Sequence, residues 1–282
     1  MSLETITGNL KDAYKQLQPG TMLHVDELMN ERRTNEELRS NGFYTPDGEV
    51  YFLYGVNKTP ILAMTREARN PVLKNIDDAF EQLTTKGNYG VQGKDFTKAI
   101  TDAVLVFLPN LRLSKHDAEF QYLPFGTTPA KYSKLNDEER KFAERVYGQG
   151  DDFVKNMKML KEAGIGETRI WVLNPDYVRK HAAEGAIARA SWLDNFYYGS
   201  QFNAGDRDIS NDGRVRGVRR EVVAEGGAQK NKGPYRTAAK NGFVTHYDAI
   251  LADPEGAVKA MNDKTAAGLS RLLSSYLSTR GQ

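Results

Sequence analysis

The chain has 282 residues, 39% hydrophobic and 27% charged, which supplies a core for one large domain or two ordinary ones. It contains no cysteine, which excludes a disulfide framework, thiolate metal sites, iron–sulfur clusters and a cysteine nucleophile, and leaves the compartment open. The formal charge of +2 argues against a generic nucleic-acid coat and still permits a local basic patch.

Residues 1–5 lack a basic region leading into an apolar run, so no signal peptide is expected. No apolar stretch approaches the roughly 20 residues that span a bilayer. The first forty residues are polar and helix-compatible, with Leu10, Tyr14 and Leu17 at helical spacing before Pro19-Gly20. Strand-like segments at 49–54 and 60–65, joined by a turn-like connector, predict a hairpin. Asn70 and Pro71 open a helix whose apolar stripe is Leu73, Ile76, Phe80 and Leu83, stopping before Gly87. The continuous apolar run at 103–108 predicts a buried strand, and the alternation at 118–123 a half-buried one. Asn136 caps a helix running through Phe142 and Val146, and another helix is expected from Phe153 to Ala163. A strand at 168–173 stops at Asn174-Pro175, a short helix lies near 176–183, and 187–193 is again strand-like. Beyond 224 come a Gly/Lys-rich connector, a segment at 243–251 and helical stretches ending in Leu269, Leu272, Leu273, Tyr276 and Leu277. Strands and helices mix without a βαβ repeat, which predicts an α+β fold with antiparallel strands and flanking helices.

Tests for catalytic and metal motifs give little. There is no GxxxxGK[ST] loop and no GxGxxG after a strand, and Ser191 and Ser200 sit in no GxSxG elbow. His24, His116, His181 and His246 are scattered singly, without metal-ligand spacing. The run Asp208-Ile209-Ser210-Asn211-Asp212-Gly213 copies the start of an EF-hand loop, but the twelfth position, reserved for a bidentate glutamate, is Arg219. The string Arg214-Val215-Arg216-Gly217-Val218-Arg219-Arg220 reads as a strand with one face in the core. Its arginines then anchor carboxylates and loops, and single-stranded nucleic acid is the alternative use.

Residues 192–220 mix two classes. Trp192, Leu193, Phe196, Phe202, Ala204, Ile209, Val215 and Val218 suit a scaffold. Between them lie Asn195, Tyr197, Tyr198, Gly199, Asn203, Gly205, Asp206, Asp208, Ser210, Asn211, Asp212 and Gly213. That set is the composition of an adaptable binding surface, with tyrosine giving rigid contact area and Ser, Asn and Gly flexible hydrogen bonding. Every residue from Asp194 to Gly213 except Gln201 is one that a codon ending in a pyrimidine encodes.

The string Trp192-Leu193, Phe196, Ser200, Phe202, Ala204, Arg207 and 214–220, with Ala188-Arg189-Ala190-Ser191-Trp192 before it, resembles the variable region of proteins diversified by diversity-generating retroelements. It is most similar to the archaeal, Nanoarchaeota-type variable proteins. The resemblance implies a C-type lectin-like fold presenting a hypervariable, solvent-facing site. The twelve Asn, Tyr, Gly, Asp and Ser positions would be the ligand-binding set, and Trp192, Phe196, Phe202, Arg207, Arg214, Arg216 and Arg219 the scaffold. It also implies a single domain over 1–282, made of an N-terminal helical segment (1–40), a core (41–223) with its variable region at about 192–220, and a C-terminal helical extension (224–282). The ligand would be a protein or glycan on another cell or virus surface, with no enzymatic activity, metal or cofactor expected. The sulfatase-activating relatives of that fold rely on cysteines, which this chain lacks. Alternatives are a calcium-dependent carbohydrate lectin using Asp206, Asp208 and Asp212, and nucleic-acid binding through 214–220.

Overall fold

The computed structural model describes residues 3–182, 185–204 and 209–220. The chain divides into two units, Met1–Glu221 and Val222–Gln282, and every described residue lies in the first. The segments expected at 224–282 lie outside the described residues.

The elements begin with β1 (Glu4–Gly8), α1 (Leu10–Lys15), α2 (Val25–Thr34), β2 (Phe43–Tyr54) and β3 (Thr59–Thr65). They continue with α3 (Pro71–Lys74), α4 (Ile76–Lys86), β4 (Tyr89–Val91), α5 (Gly93–Ile100), β5 (Val104–Phe107), β6 (Ser114–Lys115) and β7 (Phe120–Gly126). Next come α6 (Pro129–Tyr132), α7 (Asp137–Tyr147), α8 (Asp151–Glu162), β8 (Glu167–Leu173), α9 (Pro175–His181) and β9 (Ala186–Leu193), followed by β10 (Phe202–Ala204) and β11 (Gly213–Gly217). Among the described residues, nine strands form one sheet in the order β5-β3-β2-β9-β10-β8-β7-β6, with β4 also pairing β9. All its pairings are antiparallel except β8 with β10. The strands β1 and β11 make a separate antiparallel ribbon. The α+β expectation is met.

Local chemistry explains many of the elements. The Asn70 side chain accepts from the Val72 N–H, and Pro71 takes the first helical turn. Asn136 and Glu139 form a reciprocal capping box on α7. Alternation then sorts side chains to two faces. Phe43, Tyr51, Leu62, Ile170, Leu193 and Phe202 point into one core beneath α2, α7, α8 and α9. Tyr44, Val50, Ile61, Ala188 and Ala190 point into a second core under α1, α3, α4 and the β1–β11 ribbon.

Four expectations are corrected. The N-terminal segment is not purely helical, because Glu4–Gly8 pairs with Gly213–Gly217. The helix expected from Pro71 is interrupted at Asn75, which separates α3 from α4. The apolar run at 103–108 forms an edge strand in which Val106 is fully buried while Val104, Leu105 and Phe107 are half-buried, since only one neighbour, β3, flanks it. Within the strands expected to be antiparallel, β8 and β10 run parallel because the turn after β9 folds β10 between β9 and β8.

One buried ionic cluster ties the layers together. The register of β2 against β9 shifts between Thr45 and Gly48, and the irregularity turns Asp47 inward. Its carboxylate accepts from the Val25 N–H at 2.8 Å, the first residue of α2, and from Arg145 Nη2 of α7 at 3.0 Å. His24 Nδ1 lies 3.2 Å away. Burial alone would raise this carboxyl, but the His24 hydrogen bond and the charges of His24, Arg145 and Arg66 hold it below its ordinary value. The start of α2 is thereby fixed to the sheet.

Candidate functional site

The strand β9 ends at Leu193, and β10 returns beside it from Phe202. Leu193 and Phe202 are fully buried, so the chain between them must arch outward over the sheet end. The Asn195 side chain caps a short 3₁₀ turn, Phe196–Tyr198, by accepting from the Tyr198 N–H at 3.2 Å. Phe196 packs inward, while Tyr197 and Tyr198 are 87% and 58% exposed, their rings edge to face at 5.0 Å. Gly199 has φ +82°, a left-handed conformation that side chains other than Asn or Asp rarely adopt. Ser200 is fully buried.

The second arm of the segment lies at 209–213. Ile209 is fully buried and Ser210, Asn211 and Asp212 are exposed. An aromatic pair joins the two arms: Tyr44 and Trp192 meet edge to face at 4.7 Å. Trp192 Nε1 donates to Asp194 Oδ1 at 2.7 Å in the first arm, and the Tyr44 hydroxyl donates to the Asn211 carbonyl at 3.3 Å in the second. Gly213 is buried against both rings, where a Cβ would lie 2.2 Å from Tyr44 Cε2. It therefore belongs to the framework and not to the exposed ligand-binding set in which the sequence reading counted it. Gly205, Asp206, Arg207 and Asp208 lie outside the described residues.

Asn203 is half-buried in β10, in register with Trp192 on one side and Trp171 on the other. Its buried Oδ1 has no hydrogen-bond partner among the described residues. Trp171 Nε1 donates to Gln201 Oε1 at 2.6 Å, and the ring of Trp171 meets those of Tyr122 and His116 at 4.8 Å each. Residues 201–203 thus adjoin an aromatic group from β7 and β8 that sequence reasoning did not attach to the segment.

The arginine run is an anchoring strand. Arg216 grips Glu31 of α2 with both ends of its fork, at 2.5 and 2.7 Å, and also donates to Thr5 Oγ1 at 3.0 Å. Arg219 donates to Glu4 Oε2 at 2.8 Å and Gln16 Oε1 at 3.2 Å, and Arg220 to the Leu17 carbonyl. Between them Val215 is fully buried, while Arg214 is half-buried. Arg219, at the calcium-ligand position of an EF-hand loop, is therefore occupied by Glu4. Among the described residues no group of three His, Asp or Glu is arranged to hold a metal ion, and no helix is long and apolar enough to cross a membrane.

Sequence reasoning also missed Arg32 of α2 and Tyr147 of α7. The Arg32 side chain is fully buried beneath the first arm. The Tyr147 hydroxyl donates to the Ser200 carbonyl at 2.9 Å. Neither position carries a motif in its own neighbourhood.

No family model matches the chain, and no curated protein does. A solved structure does match, one described as "Accommodation of massive sequence variation in Nanoarchaeota by the C-type lectin fold". The match covers 77% of this chain and 98% of that one, with 13% sequence identity and a TM-score of 0.53. The chain has a C-type lectin-like fold.

Proposed function

We propose that the chain is a ligand-binding protein whose recognition surface is the segment 195–212, a variable surface of the kind that diversity-generating retroelements rewrite. The observation that carries this reading is the sorting of one short segment by exposure. Leu193, Phe202, Ile209 and Val215 are fully buried, while Tyr197, Tyr198, Ser210, Asn211 and Asp212 face solvent. Substitutions at the exposed set cost little stability, because they leave the packing untouched. Asn195 and Asn203 bracket the tyrosine pair in sequence, and Gly205, Asp206 and Asp208 of the same proposed set lie outside the described residues. Two exposed tyrosines beside short polar side chains suit a protein or glycan ligand on another surface, bound without catalysis. The solved neighbour is itself described in terms of sequence variation, which supports the reading by analogy of fold. The ion pairs of Arg216 and Arg219 count against nucleic acid, since phosphates would have to displace Glu31 and Glu4.

The test is a combined replacement of Tyr197, Tyr198, Ser210, Asn211 and Asp212 by other polar residues, followed by thermal unfolding. The expected result is a melting temperature within about 4 °C of the parent. A variant that unfolds wholesale would remove the proposal. In the neighbouring DNA, the reading expects a reverse transcriptase gene and a near-copy of the coding segment for 192–220, differing at adenines.

A further inference from the structure

We propose that Arg32, 162 residues before Asp194, is the positioning residue of this surface and holds its first arm in one backbone conformation whatever side chains the arm carries. The inference rests on the reading of 195–200 as part of the recognition surface.

Arg32 binds both ends of the arm through a single nitrogen. Its Nη1 donates to the Asp194 carbonyl at 2.9 Å, where the arm leaves the sheet, and to Ser200 Oγ at 2.8 Å, where the arm returns. Its Nε donates to the Leu38 carbonyl at 3.1 Å and Nη2 to the Asn41 carbonyl at 2.7 Å. These acceptors are all neutral, the rings of Phe43 and Phe196 lie 5.8 and 5.6 Å from the guanidinium, and the charge of Asp194 adds to its stabilisation. Burial pushes the guanidinium down to about 9, so it is still charged at neutral pH. A buried cation held by carbonyl dipoles and ring faces is stable only where those groups converge, so its presence fixes where they lie.

Besides the Trp192 bond to the Asp194 carboxylate, further bonds at the arm's roots come from main chain or from outside it. The Asp194 N–H donates to the Gln201 carbonyl at 2.8 Å, and the Ser200 N–H to the Asn195 carbonyl at 2.9 Å. The Ser200 carbonyl is held by Tyr147. Within the arm, the Asn195 cap uses a side-chain oxygen that Asp, Ser or Thr also supplies. The geometry therefore assigns different freedoms to neighbouring positions: any residue at 197 and 198, a capping residue at 195, Gly or Asn at 199, and serine retained at 200.

The experiment compares Arg32→Met, Arg32→Lys and Ser200→Ala by site-resolved hydrogen exchange and by dissociation of a probe. The probe is a nanobody selected on the parent chain and chosen because the Tyr197→Ala, Tyr198→Ala double variant does not bind it. Arg32→Met should raise exchange at Tyr198, Gly199 and Ser200 by at least about tenfold, while amides in β2 and β9 keep their protection. The nanobody should dissociate at least about tenfold faster, with Arg32→Lys recovering part of the loss. If Arg32→Met does not fold, Ser200→Ala, which removes one acceptor and leaves the cation in place, should shift both readouts about threefold in the same direction. Exchange that rises equally in the arm and in β2 and β9 would mean an ordinary core residue and overturn the proposal, as would unchanged exchange and dissociation. Neither readout needs the natural ligand. A ligand found to avoid Tyr197 and Tyr198 would therefore defeat the functional reading and leave the exchange result standing.

Discussion

At the scale of single residues, adjacent positions in the segment carry opposite constraints. Asp212 is exposed and Gly213 is packed under Tyr44 and Trp192. Adding one methyl at 213 forces two aromatic rings apart, so Gly213→Ala should cost about 1–3 kcal/mol. Asp212→Ala should stay within about 0.5 kcal/mol of the parent. Urea denaturation of the two variants decides the matter, and equal stabilities would show that the aromatic pair does not close on Gly213. The alternating composition of 192–220 displayed two classes of residue, but it could not say that Gly213 belongs with the buried class. Glycine is common on loop surfaces and at close approaches alike, and only the rings above it distinguish the two.

At the scale of elements, α2 is where the site is assembled. Three consecutive residues fan out from it: Glu31 to Arg216 of β11, Arg32 to the arm after β9, and Arg33 to Asp152 of α8 at 2.8 Å. The second arm depends in turn on β1, whose five residues pair in full with β11. A chain lacking residues 1–8 should keep protection in β2 and β9 and lose about 100-fold of it at 213–217 in hydrogen exchange. Protection surviving there would mean that the Arg216–Glu31 pair orders β11 alone. The helix caps at Asn70 and Asn136 were legible because a cap bonds within three residues of itself. The strand β1 was not, because Glu4 pairs with Gly217 and nothing in a short polar pentapeptide announces so distant a partner.

At the scale of the whole molecule, the described residues are stabilised by two cores either side of one sheet and by buried titratable groups, in a chain with no disulfide to constrain it. Two of those groups pull in opposite directions with pH. Asp47, held below its ordinary 3.8, contributes stability that is present above that value and is lost as pH falls through its lower folded value. Glu49 is fully buried and burial pushes it up to about 8 from 4.5, with Tyr51 donating to it at 2.8 Å. Its contribution is complete below pH 4.5 and drains away as pH rises to about 8, by up to about 1.4 kcal/mol per pH unit. Glu49→Gln should flatten that decline and leave the acid limb to Asp47. Denaturation midpoints measured between pH 2 and 9 test it, and an unchanged slope between pH 5 and 8 would show that Glu49 does not titrate in the fold.

By itself the sequence determined the α+β class, the helix caps at Asn70 and Asn136, the hairpin of β2 and β3 and the two-class composition of 192–220. Each of these is written in short-range periodicity, capping or composition. Only the tertiary structure decided that the run at 103–108 lies at a sheet edge, that Gly213 is framework and that Arg32 holds the arm. Those are properties of residues made neighbours by folding, where burial and hydrogen bonding depend on distant partners, as between Arg32 and Ser200, 168 positions apart.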